Sequence, residues 1–261
     1  MDLGLADKHV LITGGTRGIG LACARLYLKE GARVTICGRS PASCEAAVRE
    51  LAAGDRLDAH VADVSEPEAV RDLVDKAEAR LGPIDVLVNS AGAAARTPFA
   101  ELDSVAWHAA MKAKFHTYVN VIDVVIRRMA ERRRGAIVNV IGMGGKFPST
   151  IHLPGGSANA ALMLATAGLA SAYAPHGVRV NAVNPTLTAT ERMNEGLAAQ
   201  ARQDGISVEE AMRHAAARMP FGRFADPQEV ASVVVFLSSD RASYVSGSIV
   251  NVDGASMPAV V

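Results

Sequence analysis

Val10-Leu11-Ile12-Thr13-Gly14-Gly15-Thr16-Arg17-Gly18-Ile19-Gly20 reads as an apolar strand running into a glycine-rich turn and then into a helix. Glycine is wanted where backbone must approach a pyrophosphate with no side chain between them. The helix that follows turns unpaired N–H groups, and its positive end, towards those phosphates. The stretch therefore nominates a nucleotide, and by its spacing a dinucleotide. It does not nominate a reaction.

Outward from this turn, short β-branched runs alternate with helical patterns: Val10–Thr13, Val34–Cys37, Leu57–Val61, Asp85–Val88, Ala136–Ile141, Val178–Val183 and Ser248–Val252. The segments between them are long enough for crossover helices. This predicts a single α/β domain over residues 1–261, a doubly wound Rossmann-type parallel sheet with helices on both faces. Helix starts are marked by Ser40-Pro41, by Ser65-Glu66-Pro67-Glu68, and by two capping-box patterns, Ser207-x-x-Glu210 and Asp226-Pro227-Gln228-Glu229. Residues 186–224 leave the alternation and predict one or two extra helices. An insertion after a strand C-terminus lies over the ligand crevice of such a sheet, so this one reads as a substrate lid. Met193, Met212 and Met219 would give it an apolar, adaptable surface.

Composition excludes several classes. Charges balance, 27 basic against 27 acidic, so nothing global favours nucleic acid or an anionic membrane. The basic run Arg127 to Arg134 reads as a solvated helix end before Gly135. Cys23, Cys37 and Cys44 have no metal-ligand spacing; they read as reduced thiols in a cytoplasmic protein. The N-terminus lacks a signal-peptide pattern. Leu153 to Pro175 lacks charge but is rich in Ala, Gly and Ser, which reads as a closely packed helix and not a membrane span.

Three features join the glycine turn. Gly38-Arg39 follows the second strand, where the adenosine ribose is met; an acidic residue there would bind a 2′-hydroxyl, whereas an arginine suits a 2′-phosphate. Arg17 adds a second cation. Asp63-Val64 follows the third strand, and Asn89-Ser90-Ala91-Gly92 the fourth. The set resembles the short-chain dehydrogenase/reductase family over nearly the whole chain. Thr13 to Gly20 matches its Thr-Gly-x-x-x-Gly-x-Gly. Asn89 to Gly92 matches its Asn-Asn-Ala-Gly with Ser90 for the second Asn, and Arg179 to Thr186 matches its Arg-Val-Asn-x-Val-x-Pro-Gly with Thr186 for the Gly. Gly247 to Gly254 resembles its last strand. The resemblance implies a seven-stranded sheet, a homotetramer or homodimer, a small-molecule substrate, and NADP(H) in preference to NAD(H). It implies cofactor contacts from Gly14, Thr16, Arg17, Gly18, Ile19, Gly20, Arg39, Asp63, Val64, Asn89, Ala91, Gly92, Asn159, Pro185 and Thr190.

The resemblance fails at the chemistry. The family reduces carbonyls with a serine, a tyrosine and a lysine four residues after it, aided by an asparagine on an earlier helix. None of the four tyrosines here is followed by a lysine at that spacing. Gly142 stands in the serine's place, Gly155 in the tyrosine's, Asn159 in the lysine's and Lys114 in the asparagine's. Three activities remain open. One is a redox enzyme whose proton comes from Lys114, Lys146 or His152. The others are a non-redox isomerase, lyase or dehydratase in the same crevice, and a silent NADP-binding protein.

Overall fold

The computed structural model describes residues 1–92 and 94–258. Seven parallel strands form one sheet in the order β3-β2-β1-β4-β5-β6-β7. They are β1 (His9–Thr13), β2 (Arg33–Gly38), β3 (Leu57–Val61), β4 (Val86–Asn89), β5 (Gly135–Val140), β6 (Val178–Pro185) and β7 (Ile249–Val252). Each lies within two residues of its sequence-predicted span. Among the described residues there are nine α-helices: α1 (Gly18–Lys29), α2 (Pro41–Leu51), α3 (Pro67–Leu81), α4 (Ser104–Ala110), α5 (Thr117–Glu131), α6 (Leu153–Tyr173), α7 (Glu191–Asp204), α8 (Val208–Ala217) and α9 (Pro227–Ser238).

Strand alternation divides the core in two. Val10 and Ile12 of β1, Val34 and Ile36 of β2 and Val86 and Val88 of β4 face one side, packed against α1 and α9. Leu11, Leu87, Ile137 and Val180 face the other, under α3, α5 and α6. With both faces covered, the central strands are buried along their length, which is why they read as continuous apolar runs. Strand order reverses between β1 and β4, so the crevice at their C-terminal ends is the place for a ligand.

α6 bears out the small-residue reading. A Cβ on Gly145 would lie 2.7 Å from the Ala160 nitrogen, and one on Gly156 would lie 2.7 Å from the Gly144 oxygen. Only glycines let the segment after β5 pack this closely on the helix. The cysteines are free and buried, and no described helix is long and apolar enough to cross a membrane.

Three expectations change. The predicted cap of α3 at Ser65 moves to Glu66. Asp63 Oδ1 already accepts from the Ser65 N–H at 2.9 Å, and the Asp63 carbonyl accepts from the Glu66 N–H at 3.0 Å. That turn holds the chain out of the helix for one more residue. The basic end of α5 is also more than a solvated surface. Arg128 pairs with Asp75 and Glu78 and Arg132 with Glu78, tying α5 to α3, while Arg134 pairs with Asp85. The extra helices at 186–224 are α7 and α8. Ser207 caps α8 by accepting from the Glu210 N–H, and the reciprocal box forms only at α9, between Asp226 and Glu229.

Candidate active site

The glycine turn closes on itself. Gly14 has φ +65°, and a Cβ there would meet the Ala91 backbone at 2.8 Å. A Cβ on Gly20 would lie 2.2 Å from the Gly14 carbonyl oxygen. The turn and the first turn of α1 therefore form a bare-backbone cradle. Thr13 fixes its far wall, its Oγ1 accepting from the Ser90 and Ala91 N–H groups at 3.1 Å each. The methyl of Thr16 packs where a Cβ on Gly38 would stand, and Ile19 is half-buried behind the turn. A Cβ on Gly92 would clash with the Ala113 carbonyl oxygen at 2.3 Å, so the β4 turn is equally constrained.

Charges ring the β2 and β3 end of this cradle. Arg39 is exposed just past β2. Asp63 is held below the usual carboxylate range, first by the Ser65 N–H, with Arg39 and Lys112 adding to the effect. Val64 is buried behind it. Arg17 pairs with Glu191 at the start of α7, Nη1 to Oε2 3.1 Å, with both side chains mostly exposed. Thr190 caps α7 and lies against Gly18, its Cγ2 3.4 Å from where a Cβ would be.

Register lines up a polar row at the strand ends. Thr13 pairs with Asn89, and Asn89 with Asn139. Asn89 Nδ2 donates to Asn139 Oδ1 at 3.0 Å, and Asn139 Nδ2 donates to Thr166 Oγ1 of α6 at 3.0 Å. The buried Asn89 Oδ1, Asn159 Oδ1 and His152 Nδ1 have no hydrogen-bond partner among the described residues. Three orphaned acceptors at one sheet edge mark a place where a bound molecule supplies donors. The bare glycine cradle and these acceptors fit a dinucleotide laid from β2 across β1 and β4 to β5.

The candidate residues at the β5 end lie close together. Met111–His116 forms a π-helical turn between α4 and α5, a departure from α-helical spacing often found at functional sites. Lys114 sits within it, buried. Its Nζ donates to Tyr118 Oη at 2.8 Å and to the Val140 carbonyl at 3.1 Å, and Tyr118 Oη donates to the same carbonyl. No carboxylate pairs with Lys114 among the described residues; the surface ion pair of this turn belongs to Lys112 and Glu66. Burial, helped by the charge of Arg192, brings the Lys114 ammonium down to about 7.

His152 fills the space of a side chain at 155. A Cβ on Gly155 would lie 2.1 Å from the imidazole Cε1 and 2.5 Å from Nε2. Burial lowers its pKa to about 4, with Arg96, Arg192 and Lys114 adding to the effect against an opposing contact from backbone Ala95. Asn159 Nδ2 lies 3.4 Å from the position of a Cβ on Gly142, where the Pro185 carbonyl is 3.8 Å away. Gly142 has φ +131°, a backbone state that side chains rarely adopt. Lys146 lines the same hollow as His152, its Nζ donating to Asn251 Oδ1 of β7 at 3.3 Å. That hollow, of ≈ 180 Å³, is walled also by Gly144, Gly156 and Ala160.

Sequence reading missed Arg96, Arg192 and Tyr118. The first two meet only through the fold. Tyr118 follows Lys114 by four residues, a helical i,i+4 pair visible to a search in both directions.

A family model described as enoyl-(acyl carrier protein) reductase matches residues 14–255. The 3-oxoacyl-acyl-carrier-protein reductase of Thermotoga maritima is 33% identical over 96% of this chain and 98% of its own length. The cis-4-hydroxycyclohexanecarboxylate dehydrogenase of Sinomonas cyclohexanicum is 36% identical over 95% and 96%. Among solved structures, an actinorhodin polyketide ketoreductase with NADPH superimposes with TM-score 0.91 at 33% identity, covering 95% of this chain and 96% of that one. L-Sorbose reductase from Gluconobacter frateurii, complexed with NADPH and L-sorbose, gives TM-score 0.91 at 30% identity over the whole of both chains. By sequence, strand order and glycine turn alike, the chain belongs to the short-chain dehydrogenase/reductase family.

Proposed function

We propose that this protein is an NADP(H)-dependent oxidoreductase of a carbonyl/alcohol pair, with Lys114 as its proton donor and acceptor. The observation that carries the reading is the buried Lys114 ammonium, without a carboxylate and close to neutrality, at the crevice of a complete dinucleotide cradle. NADPH in two structural neighbours supports the cofactor. Homologous ketoreductases and dehydrogenases support the reaction class. As in other members of the family, the protein would act as a homodimer or homotetramer on a small molecule, with α7 and α8 as the lid.

When bound, the nicotinamide supplies or takes up the hydride. Tyr118 and the Val140 carbonyl occupy two of the ammonium's three N–H bonds, which fixes Nζ and leaves the third for the carbonyl oxygen. Desolvation makes proton release easy at neutral pH. In the family pattern the amide stands on the helix after β4 and the lysine on α6; Lys114 and Asn159 carry these groups the other way round. Asn159 then hydrogen-bonds the nicotinamide ribose. His152, neutral at pH 7, walls the space of the missing tyrosine and offers Nδ1 as an acceptor.

The direct test follows nicotinamide absorbance while NADPH and a panel of ketones are mixed with the protein. Turnover with one or more is expected. Tight NADPH binding with no oxidation by any of them would refute the reading, and product formed without oxidation would point to a non-redox enzyme. Reduction needs the ammonium, so kcat/KM for reduction is expected to fall as pH rises through about 7, and that for alcohol oxidation to rise. Profiles flat across that range would remove Lys114 from the role.

Arg39→Asp is expected to reverse the cofactor preference, by at least about tenfold against NADPH. It removes a cation suited to the 2′-phosphate and adds an acceptor for a 2′-hydroxyl. Titration of NADPH and NADH by fluorescence checks this. An unchanged ratio would assign the phosphate to other residues.

A further inference from the structure

Beyond Lys114, two arginines reach the same crevice. Arg96 lies in the segment after β4. That segment is tied to the one before α6 by the Thr97 N–H, which donates to the Ile151 carbonyl at 3.0 Å. Its guanidinium rests on Gly196 of α7: a Cβ there would lie 2.8 Å from Nε and 3.1 Å from Cζ and Nη2. Glycine in a helix interior costs stability, and here it makes room for the guanidinium. Arg192, one turn earlier on α7, donates from Nη2 to the Ala94 carbonyl and from Nη1 to Glu195 Oε2 at 2.8 Å. Burial first, and then the charges of Arg96 and Arg192, lower the His152 pKa.

Arg96 is half-buried and makes no salt bridge or hydrogen bond among the described residues. The one carboxylate on Arg192 is a half-exposed surface partner. Arg96 and Arg192 thus sit together where the segment after β4, the start of α6 and α7 meet, with Glu195 the only acid paired to either among the described residues, beside the unpartnered His152 Nδ1 and the buried, unpartnered Asn159 Oδ1. A half-buried guanidinium without a counter-ion is unfavourable unless something brings one. The cofactor's pyrophosphate is poorly placed to do so. Thr190 marks the glycine turn, and Gly196 lies six residues further along α7, about 9 Å by helical rise.

We propose that the substrate carries an oxyanion, a carboxylate or a phosphate ester, which Arg96 and Arg192 grip while its carbonyl lies against Lys114. The planar guanidinium fork suits either group. This substrate class rests on the carbonyl-reduction reading of the site. Because Arg96 comes from the segment after β4 and Arg192 from α7, the anion would bridge two segments that already touch.

Calorimetric titration of the NADP⁺-saturated protein tests it. The probes are 4-oxopentanoate and 5-oxohexanoate against their methyl esters, and dihydroxyacetone phosphate against dihydroxyacetone. The anion of at least one pair is expected to bind at least about tenfold more tightly than its neutral partner, and less so in salt. Which pair responds separates carboxylate from phosphate. Arg96→Met is expected to bring that ratio close to one, and Arg96→Lys to restore part of it. Equal binding within every pair, no measurable binding by any anion, or a ratio that survives in both Arg96→Met and Arg192→Met would overturn the proposal. An anion preference without NADPH oxidation by any probe would sustain the arginine site and remove the reductase reading. Oxidation of NADPH by neutral ketones with no anion preference would do the reverse.

Discussion

Lys114→Met is expected to lower ketone turnover about 10²–10⁴-fold, the usual effect of removing a positioned acid, while NADPH affinity stays near that of the parent. The side chain hydrogen-bonds to Tyr118 and the Val140 carbonyl and, among the described residues, to none of the glycine cradle. Loss of folding would not explain the result. Methionine is close to lysine in volume, and replacing an unpaired buried ammonium by an apolar group is neutral or stabilising. The sign can be checked by thermal unfolding against pH. Burial holds the Lys114 pKa at about 7, below its ordinary value, so the folded state disfavours the charged form. Stability from this group is complete above the unfolded pKa of 10.5 and is lost as pH falls towards about 7. In Lys114→Met that slope is expected to flatten. Lys114→Arg keeps the charge but cannot release a proton at neutral pH, so it too is expected to be slow, with no pH limb near 7. Wild-type turnover in Lys114→Met would end the assignment.

What could be read in the chain depended on how locally it was written. The strand runs, the glycine turn and the α6 packing each lie within a short window, and their spacing carried them. Lys114 was legible because it stands in the place of a family residue on the helix after the fourth strand. The cap of α3 was misplaced because Ser65, though a good cap by type, is held by Asp63 in a competing turn. Arg96 and Arg192 left no trace, since α7 brings them together only after folding. Nor does Gly155 reveal in sequence that His152, three positions earlier, folds back over the helix start into the space where a Cβ would stand.

That placement governs what engineering can recover. Installing the family's three groups, as Gly142→Ser, Gly155→Tyr and Asn159→Lys together, is expected to destabilise the protein and to give no gain in ketone reduction. At residue 142 the obstacle is backbone. With φ at +131°, a serine must bear strain of about 1–3 kcal/mol or shift the chain, moving its hydroxyl off the carbonyl oxygen. At residue 155 the obstacle is volume. The first carbon of a tyrosine would fall 2.1 Å from the His152 ring, so the imidazole must leave its buried place, at an overpacking cost of about 1–3 kcal/mol. At residue 159 the obstacle is charge: an ammonium would replace a buried neutral amide that no acid meets among the described residues. A fall in Tm of roughly 4–12 °C follows from the first two terms. Adding His152→Ala is expected to recover the part due to crowding and to leave the strain at 142. Differential scanning calorimetry and NADPH oxidation measure both effects on the same samples. A triple variant that reduces ketones faster than the parent would show that the original groups can still reach the reacting atoms. The case for Lys114 would then be lost, because it depends on a crevice rebuilt around glycine at 142 and 155 and around the exchanged lysine and asparagine.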